Sequence, residues 1–315
     1  MPNPSEIHPV DEAEAVTDPV VSVVIASVNG LPYPLSCLEA LSTQEGDIPI
    51  EVVVADCTGP GTVTAIRERF PATRILSFDE PTSVPALRAA GIAAARARLV
   101  AVTEDHCVPR PDWVRRIVEV HARTGWAAVG GGVVNGPTER TVDWAVYFCE
   151  YGHMMSPVPA GPSDVIPGMN VAYDTEQLAP LRDVFAEGMW ENFLHDRIRE
   201  AGYTMGLDPS IVVAHDKYFT VPMFLSERYH LSRAFAGGRV AGASLPVRLA
   251  WAGAALTALP GLLVLRAVRN VWRRPPYRRR FLAAFPLVVL FSVAWSVGEF
   301  VGYLAGPGDS LVKIR

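Results

Sequence analysis

The chain has 315 residues and a mass of 34.1 kDa, half of its residues are hydrophobic, 19% are charged and its mean hydropathy is +0.20. That excludes a disulfide-stapled mini-protein and implies that part of the chain meets lipid. A formal net charge of -5 and a pI near 5.8 argue against a nucleic-acid partner, and Cys37, Cys57, Cys107 and Cys149 lack any CxxC or metal-ligand spacing and read as reduced thiols.

The first nineteen residues are rich in Pro, Asp and Glu and have neither a basic start nor an apolar run. Residues 1–19 therefore read as a loose tail without a signal peptide, expected in the cytoplasm. Val20–Ala26 and Ile50–Ala55 are β-branched runs of the kind buried on both faces of a parallel sheet. Arg74–Phe78 and Leu99–Thr103 continue the series, with the Ala-rich stretch Val84–Arg98 as an intervening helix. This alternation predicts an α/β fold with a mostly parallel, doubly wound sheet, in a single domain over residues 20–243. Ligands of such sheets bind at the carboxyl ends of the strands, so Ser27–Gly30, Asp56–Gly61 and Glu104–His106 carry the information.

From Ala127 the pattern loosens into glycine-rich turns at Gly130, Gly131, Gly132 and Gly136, then Trp144–Met155 and a Pro and Gly loop over Pro157–Gly168. Phe185–Gly202 has apolar residues at Met189, Phe193, Leu194 and Ile198 and predicts an amphipathic helix closed by glycine. Ile211–His215 reads as another short strand.

The C-terminal quarter differs in kind. Leu249–Leu265 and Phe281–Gly298 are uncharged, and seven arginines at 266, 269, 273, 274, 278, 279 and 280 lie between them. The first segment, as a helix, spans roughly 25 Å, short of a hydrocarbon core of about 30 Å, and it contains Pro260-Gly261. A full crossing would also put the arginines outside, against the positive-inside rule. The expected arrangement of 244–306 is therefore a re-entrant or interfacial segment 249–265, an Arg-rich loop 266–280 and a membrane helix 281–305, followed by a tail 307–315. Glu299, costly in lipid, should face the first segment, the interface or water.

No GxGxxG or GxxxxGK[ST] follows a predicted strand. The strongest chemical signal is Glu104, Asp105 and His106 at the end of an apolar strand. Oxygen ligands there suit Mg²⁺ or Mn²⁺ between protein and a diphosphate, and His106 would add a nitrogen ligand. Asp56 is expected on the same rim, within a nucleotide-sized span of these three. His215, also at a strand end, reads equally as a further ligand or as a structural histidine.

Four stretches stand in order: VSVVIASVNG at 21–30, EVVVADCTG at 51–59, LRAAGIAAARARLVAVTEDHCVPRPDWV at 87–114 and WENFLHDRIREAG at 190–202. Together they resemble a family 2 glycosyltransferase of the A-type fold. The resemblance implies that Ser27, Asn29, Asp56, Arg88 and Asp105 bind the donor nucleotide. The Asp-x-Asp metal motif of that family is replaced here by Glu104-Asp105-His106, and its Arg-Asn pair is matched by Arg88 followed by Ala89. Aligned on Arg197 and Arg199, the family's Glu-Asp pair falls on Trp190 and Glu191, which makes Glu191 the base that takes the acceptor hydroxyl proton and puts Trp190 on the acceptor side. Without the resemblance, Glu191 reads as a glutamate favoured by a helix N-terminus. SERYHLSRAF at 226–235 is distantly similar to a motif on the acceptor and diphosphate side, which implies Arg228 and Arg233; it reads equally as a basic interfacial helix.

The resemblance thus implies a membrane-attached transferase on the cytoplasmic face. It would move a sugar from a nucleotide-diphosphate donor to an acceptor hydroxyl or lipid phosphate of a lipid or glycan, with Mg or Mn as cofactor. The alternative is a non-catalytic nucleotide-sugar-binding membrane scaffold. A nucleotidyltransferase would need a basic phosphate loop where this chain has ASVNGLP.

Overall fold

A computed structural model describes residues 7–10 and 16–314. They fall into two compact units, Met1–Val134 with Met154–Lys217, and Asn135–His153 with Tyr218–Arg315.

The first unit runs β1 (Ile7–Val10), β2 (Val21–Ser27), α1 (Tyr33–Ser42), β3 (Ile50–Asp56), α2 (Pro60–Arg69), β4 (Arg74–Phe78), α3 (Val84–Ala94), β5 (Leu99–Glu104), β6 (Cys107–Pro109), α4 (Trp113–Thr124) and β7 (Ala128–Asn135). The chain then passes through α5 (Thr141–Glu150) of the second unit. It returns as β8 (Gly161–Pro162), β9 (Val171–Asp174), α6 (Arg182–Ala186), α7 (Glu191–Glu200) and β10 (Met205–His215). One sheet has the order β1-β4-β3-β2-β5-β9-β7-β10-β6, with β8 paired to β10.

The four strands legible in the sequence, β4, β3, β2 and β5, are parallel neighbours. All seven residues of β2 are buried, as a β-branched run covered on both faces must be. The sheet as a whole is mixed, because β1 is antiparallel to β4, and β9 is antiparallel to both β5 and β7. Residues 7–10 therefore form an edge strand where a tail is expected; the other calls on 1–6 and 11–15 lie outside the described residues.

The register sets the site. Ser27 pairs with Asp56 and Ala26 with Glu104, so Asp56 and Glu104 end two strands that flank β2, two strand spacings or about 10 Å apart. Asp56 and Glu104–His106 thus share the carboxyl edge of the parallel half.

Two local expectations are corrected. Gly130, Gly131 and Gly132 lie inside β7, not in turns, because a Cβ at Gly131 would stand 1.8 Å from the Ile211 carbonyl oxygen and one at Gly130 2.6 Å from that of Asn170. Buried Asn170 stitches the same place: its amide donates to the Gly132 and Ile211 carbonyls, at 3.0 and 3.2 Å, and accepts from Trp113 Nε1 at 2.8 Å. The predicted helix Phe185–Gly202 is broken in two by Gly188, whose φ of +61° lies in the left-handed region.

The second unit holds α5, α8 (Val221–Arg239), α9 (Leu245–Thr257), α10 (Leu259–Trp272) and α11 (Arg278–Ala305). The expected boundary at 243 therefore falls instead after Lys217, since α8 packs along α11 through Phe224 on Phe291 and through the glycines 298 and 302. α9 starts beside the end of α11, with Arg248 donating to the Tyr303 and Leu304 carbonyls. α10 ends beside the start of α11, with Arg278 donating to the Trp272 carbonyl. α9 and α10 meet at a bend of 55° around Ala258, with Pro260 and Gly261 in the first turn of α10. The arginine-rich stretch is mostly helical, not a loop: Arg266 and Arg269 lie in α10, and Arg278, Arg279 and Arg280 open α11. Glu299 is buried and faces α8. It accepts from Trp295 Nε1 and Tyr303 hydroxyl, both at 2.8 Å, and from Arg239 at 3.4 Å.

Candidate active site

At the end of β2, Ser27 donates to Asp56 Oδ1 at 2.7 Å, and Thr58 hydroxyl donates to the same oxygen at 2.9 Å. The Thr58 and Gly59 amides donate to Asp56 Oδ2 at 3.1 and 3.3 Å. Burial raises the Asp56 carboxyl above its ordinary pKa, and these four bonds act against that rise. Ser27 and Asp56, which the resemblance implies as nucleoside contacts, are fully buried and bonded to each other, and they shape the turn 57–59.

Asp105 is equally committed. Its Oδ2 accepts from the Val28 and Asn29 amides at 2.9 and 2.8 Å, and its Oδ1 from Asn29 Nδ2 at 2.7 Å and His106 Nδ1 at 2.8 Å. With hydrogen bonds on both oxygens and no exposed surface, Asp105 ties β5 to the end of β2.

Glu104 and Glu191 meet through one arginine. Arg88, on the buried side of α3, donates to Glu104 Oε1 at 2.6 Å and to Glu191 Oε2 at 3.0 Å. Its Nε has no hydrogen-bond partner among the described residues. Arg88 and Asp105 thus stand beside the site as donor-side candidates, each held by contacts to protein groups. Burial opposes the Glu104 charge, yet the His106 hydrogen bond and the Arg88 charge override it and hold the carboxyl well below the usual range. Glu191 is the first residue of α7, and 26% of its side chain is exposed, enough for an incoming hydroxyl to reach it. Trp190 caps that helix and packs on the apolar core.

Behind the pair, Tyr173 hydroxyl bonds His195 Nε2 at 2.9 Å, and burial, with the Arg88 charge, lowers the His195 pKa to about 3. The neutral ring keeps positive charge off the far side of Arg88. Gly168, read in the sequence only as the end of a loop, matters here because a Cβ would stand 2.6 Å from Glu191 Cδ and 2.7 Å from Arg88 Nη1.

A carboxylate oxygen of Glu104, a ring nitrogen of His106 and Cys107 Sγ lie within 4.8 Å of one another. His106 Nε2 is 3.3 Å from Glu104 Oε2, and the His215 ring stands edge-on to that of His106, centroids 4.6 Å apart. Glu104 and His106 fit a divalent cation of the Mg²⁺ or Mn²⁺ class, the nitrogen favouring Mn²⁺. Cys107 suits that cation class poorly, because a soft sulfur ligand is matched to softer metals than Mg²⁺ or Mn²⁺. Cys107 had been read only as a scattered thiol; its place three residues after Glu104, on the strand paired with His215, is the signal that could have found it.

Arg228 and Arg233 belong to the second unit and bond to partners within it. Arg228 is buried, stacked 3.9 Å from the Trp295 ring centroid and 3.4 Å from Glu150 Oε2. Arg233 Nε donates to the Gly306 carbonyl at 3.2 Å.

Residues 22–171 match the model of the family described as Glycosyl transferase family 2. Over this stretch, just under half of its length, the chain matches a family 2 glycosyltransferase domain. Over 104 residues it is 36% identical to the succinoglycan biosynthesis protein ExoO of Rhizobium meliloti (strain 1021), a match over 32% of this chain. The chain spans only 29% of the length of that curated relative. Among solved structures, the mannosyltransferase PcManGT from Pyrobaculum calidifontis, in complex with GDP-Man and Mn²⁺, superposes with a TM-score of 0.56 at 19% identity. That alignment covers 90% of this chain and 87% of the other, a likeness of fold. The family 2 match holds β2 to β5, the Asp105 turn, Arg88 and the start of β9, but ends before Glu191.

Proposed function

We propose that the protein is a membrane-attached glycosyltransferase. It moves a sugar from a nucleotide-diphosphate donor to an acceptor hydroxyl or lipid phosphate in cell-envelope or glycolipid synthesis. The observation that carries this reading is the Glu104–Arg88–Glu191 bridge at the carboxyl edge of a family 2 domain. The GDP-Man and Mn²⁺ bound by the mannosyltransferase of like fold support the donor class and a divalent cation, and ExoO supports a saccharide product.

In this mechanism Glu191 accepts the proton of the acceptor hydroxyl while that oxygen attacks the anomeric carbon. The bond from that carbon to the diphosphate breaks, and the diphosphate leaves with the electron pair. Arg88 keeps Glu191 aimed. A divalent cation on Glu104 and His106, with His215 beside them, would neutralise charge on the leaving diphosphate. Asp105 holds Val28 and Asn29, the strand end against which a donor nucleotide lies.

Membrane attachment rests on the second unit. Residues 275–305 are long and apolar enough to cross a bilayer, and the bent pair α9–α10 suits a broken span or a re-entrant turn. We favour the re-entrant arrangement with the arginines on the cytoplasmic side, for the charge reason given above.

The test is turnover of a panel of nucleotide-sugars by the full chain in detergent, with and without a lipid extract, read by mass spectrometry. Release or transfer of sugar from one donor is expected. Donor binding without turnover of any donor would leave the non-catalytic scaffold.

A further inference from the structure

No carboxylate occurs between Glu227 and Glu299, although that interval carries the whole arginine cluster. Arg88, Arg98, Arg115, Arg228 and Arg239 all reach carboxylates. Arg266, Arg269, Arg273, Arg278, Arg279 and Arg280 form no such pair among the described residues.

Their placement is ordered. Along α10 and its capping residue, Leu262, Arg266, Arg269 and Arg273 follow one another at helical spacing, so one stripe reads apolar first and basic towards the helix end; all four are exposed. Exposed Leu265 and Trp272 border that stripe. On α11 the exposed residues Leu282, Phe285, Val289, Val293 and Val297 make a second apolar stripe, starting directly after Arg278–Arg280. Arg278 stacks on Trp272, and Arg280 on Trp144 at 4.4 Å.

The helix ends do not account for this charge. Cations suit the end of α10, but three arginines at the start of α11 face the positive pole of that helix dipole. An anion from outside the chain resolves the conflict, and the apolar stripes adjoining the arginines show where it comes from. We infer that the junction of α10 and α11 is a docking surface for the anionic phospholipid headgroups of a bilayer. The arginines lie at headgroup level, and Trp272 and the two apolar stripes face the acyl boundary. This rests on the proposed membrane attachment, but the two fail separately.

The experiment is flotation of the full chain with phosphatidylcholine vesicles, and with vesicles in which about a third of the lipid is phosphatidylglycerol. Binding to pure phosphatidylcholine tests attachment; the gain on adding phosphatidylglycerol tests the headgroup site. At about fivefold per arginine, the triple variant Arg266→Gln, Arg269→Gln, Arg273→Gln should lose on the order of a hundredfold of that gain and keep its phosphatidylcholine binding. The corresponding triple lysine variant, which preserves charge, should retain the gain, and raising salt from about 0.1 to about 1 M should abolish it. An equal affinity for both vesicles, or a glutamine variant that keeps the preference, overturns the inference. So does saturable displacement by inorganic phosphate at constant ionic strength, which would show a pocket for free phosphate.

Discussion

Two glutamates, one buried and one half-buried, stand at opposite ends of the parallel strands, and each is bound by an arginine. Glu51, near the start of β3, accepts from Ser22 hydroxyl and from the backbone and side chain of Arg96, at 2.9 and 2.7 Å. That set is closed: 3% of the glutamate side chain is exposed, and its partners knit β2, β3 and the end of α3 together. Glu104, at the end of β5, shares its arginine with Glu191, and both carboxylates keep some exposed surface. The same residue types thus fasten the sheet at one end and remain addressable at the other. What separates them is whether the arginine has a second carboxylate to serve.

The contrast can be broken from either end. Glu191→Gln should lower turnover on the order of 10³-fold with donor affinity unchanged, since a base acts in the transition state; single-turnover kinetics beside a donor-binding titration measure both. Glu104→Ala should lower turnover on the order of 10²-fold without altering the denaturation midpoint, through lost stabilisation of the leaving diphosphate. Glu51→Ala should do the reverse. It removes the acceptor of the Ser22 hydroxyl and of the Arg96 side chain and should cost about 2 kcal/mol of stability in urea unfolding, while turnover per folded molecule stays level.

The smallest effect sharpens the comparison by pH. Burial works against the Glu51 charge, but the Ser22 and Arg96 hydrogen bonds bring its carboxyl below the ordinary 4.5. A carboxyl lowered on folding contributes stability above its unfolded pKa and loses it as pH falls through the folded value. The parent should therefore lose stability below about pH 4.5 more steeply than Glu51→Ala. Matching acid limbs in the two proteins would show that Glu51 carries no such charge-linked stability.

The sequence showed the parallel half almost residue by residue, because strands buried on both faces are unbroken β-branched runs that nothing else resembles. The antiparallel half hid in its glycines. Gly130–Gly132 look like a turn in one dimension, and only contact with Ile211 and Asn170 shows them to be a strand pressed against other backbone. At the site, Glu104, His106 and Glu191 were legible as strand-end and helix-start residues. The bond of Arg88 to two glutamates, one sixteen and the other 103 positions away, was not, since no local pattern records it. Asp105 was legible as an acid, but its duty to the Val28 and Asn29 amides follows only from the register of β2 with β5.

That shared arginine has a thermodynamic consequence. A cation arriving at Glu104 competes with Arg88 for the carboxylate, and whatever hold Arg88 yields there it can transfer to Glu191. Linkage makes such an exchange reciprocal: if occupancy at Glu104 changes the free energy of an acceptor meeting Glu191, the acceptor changes cation affinity by the same factor. Donor end and acceptor end would then titrate as one cooperative unit, and a double substitution of the two glutamates would cost less than its parts.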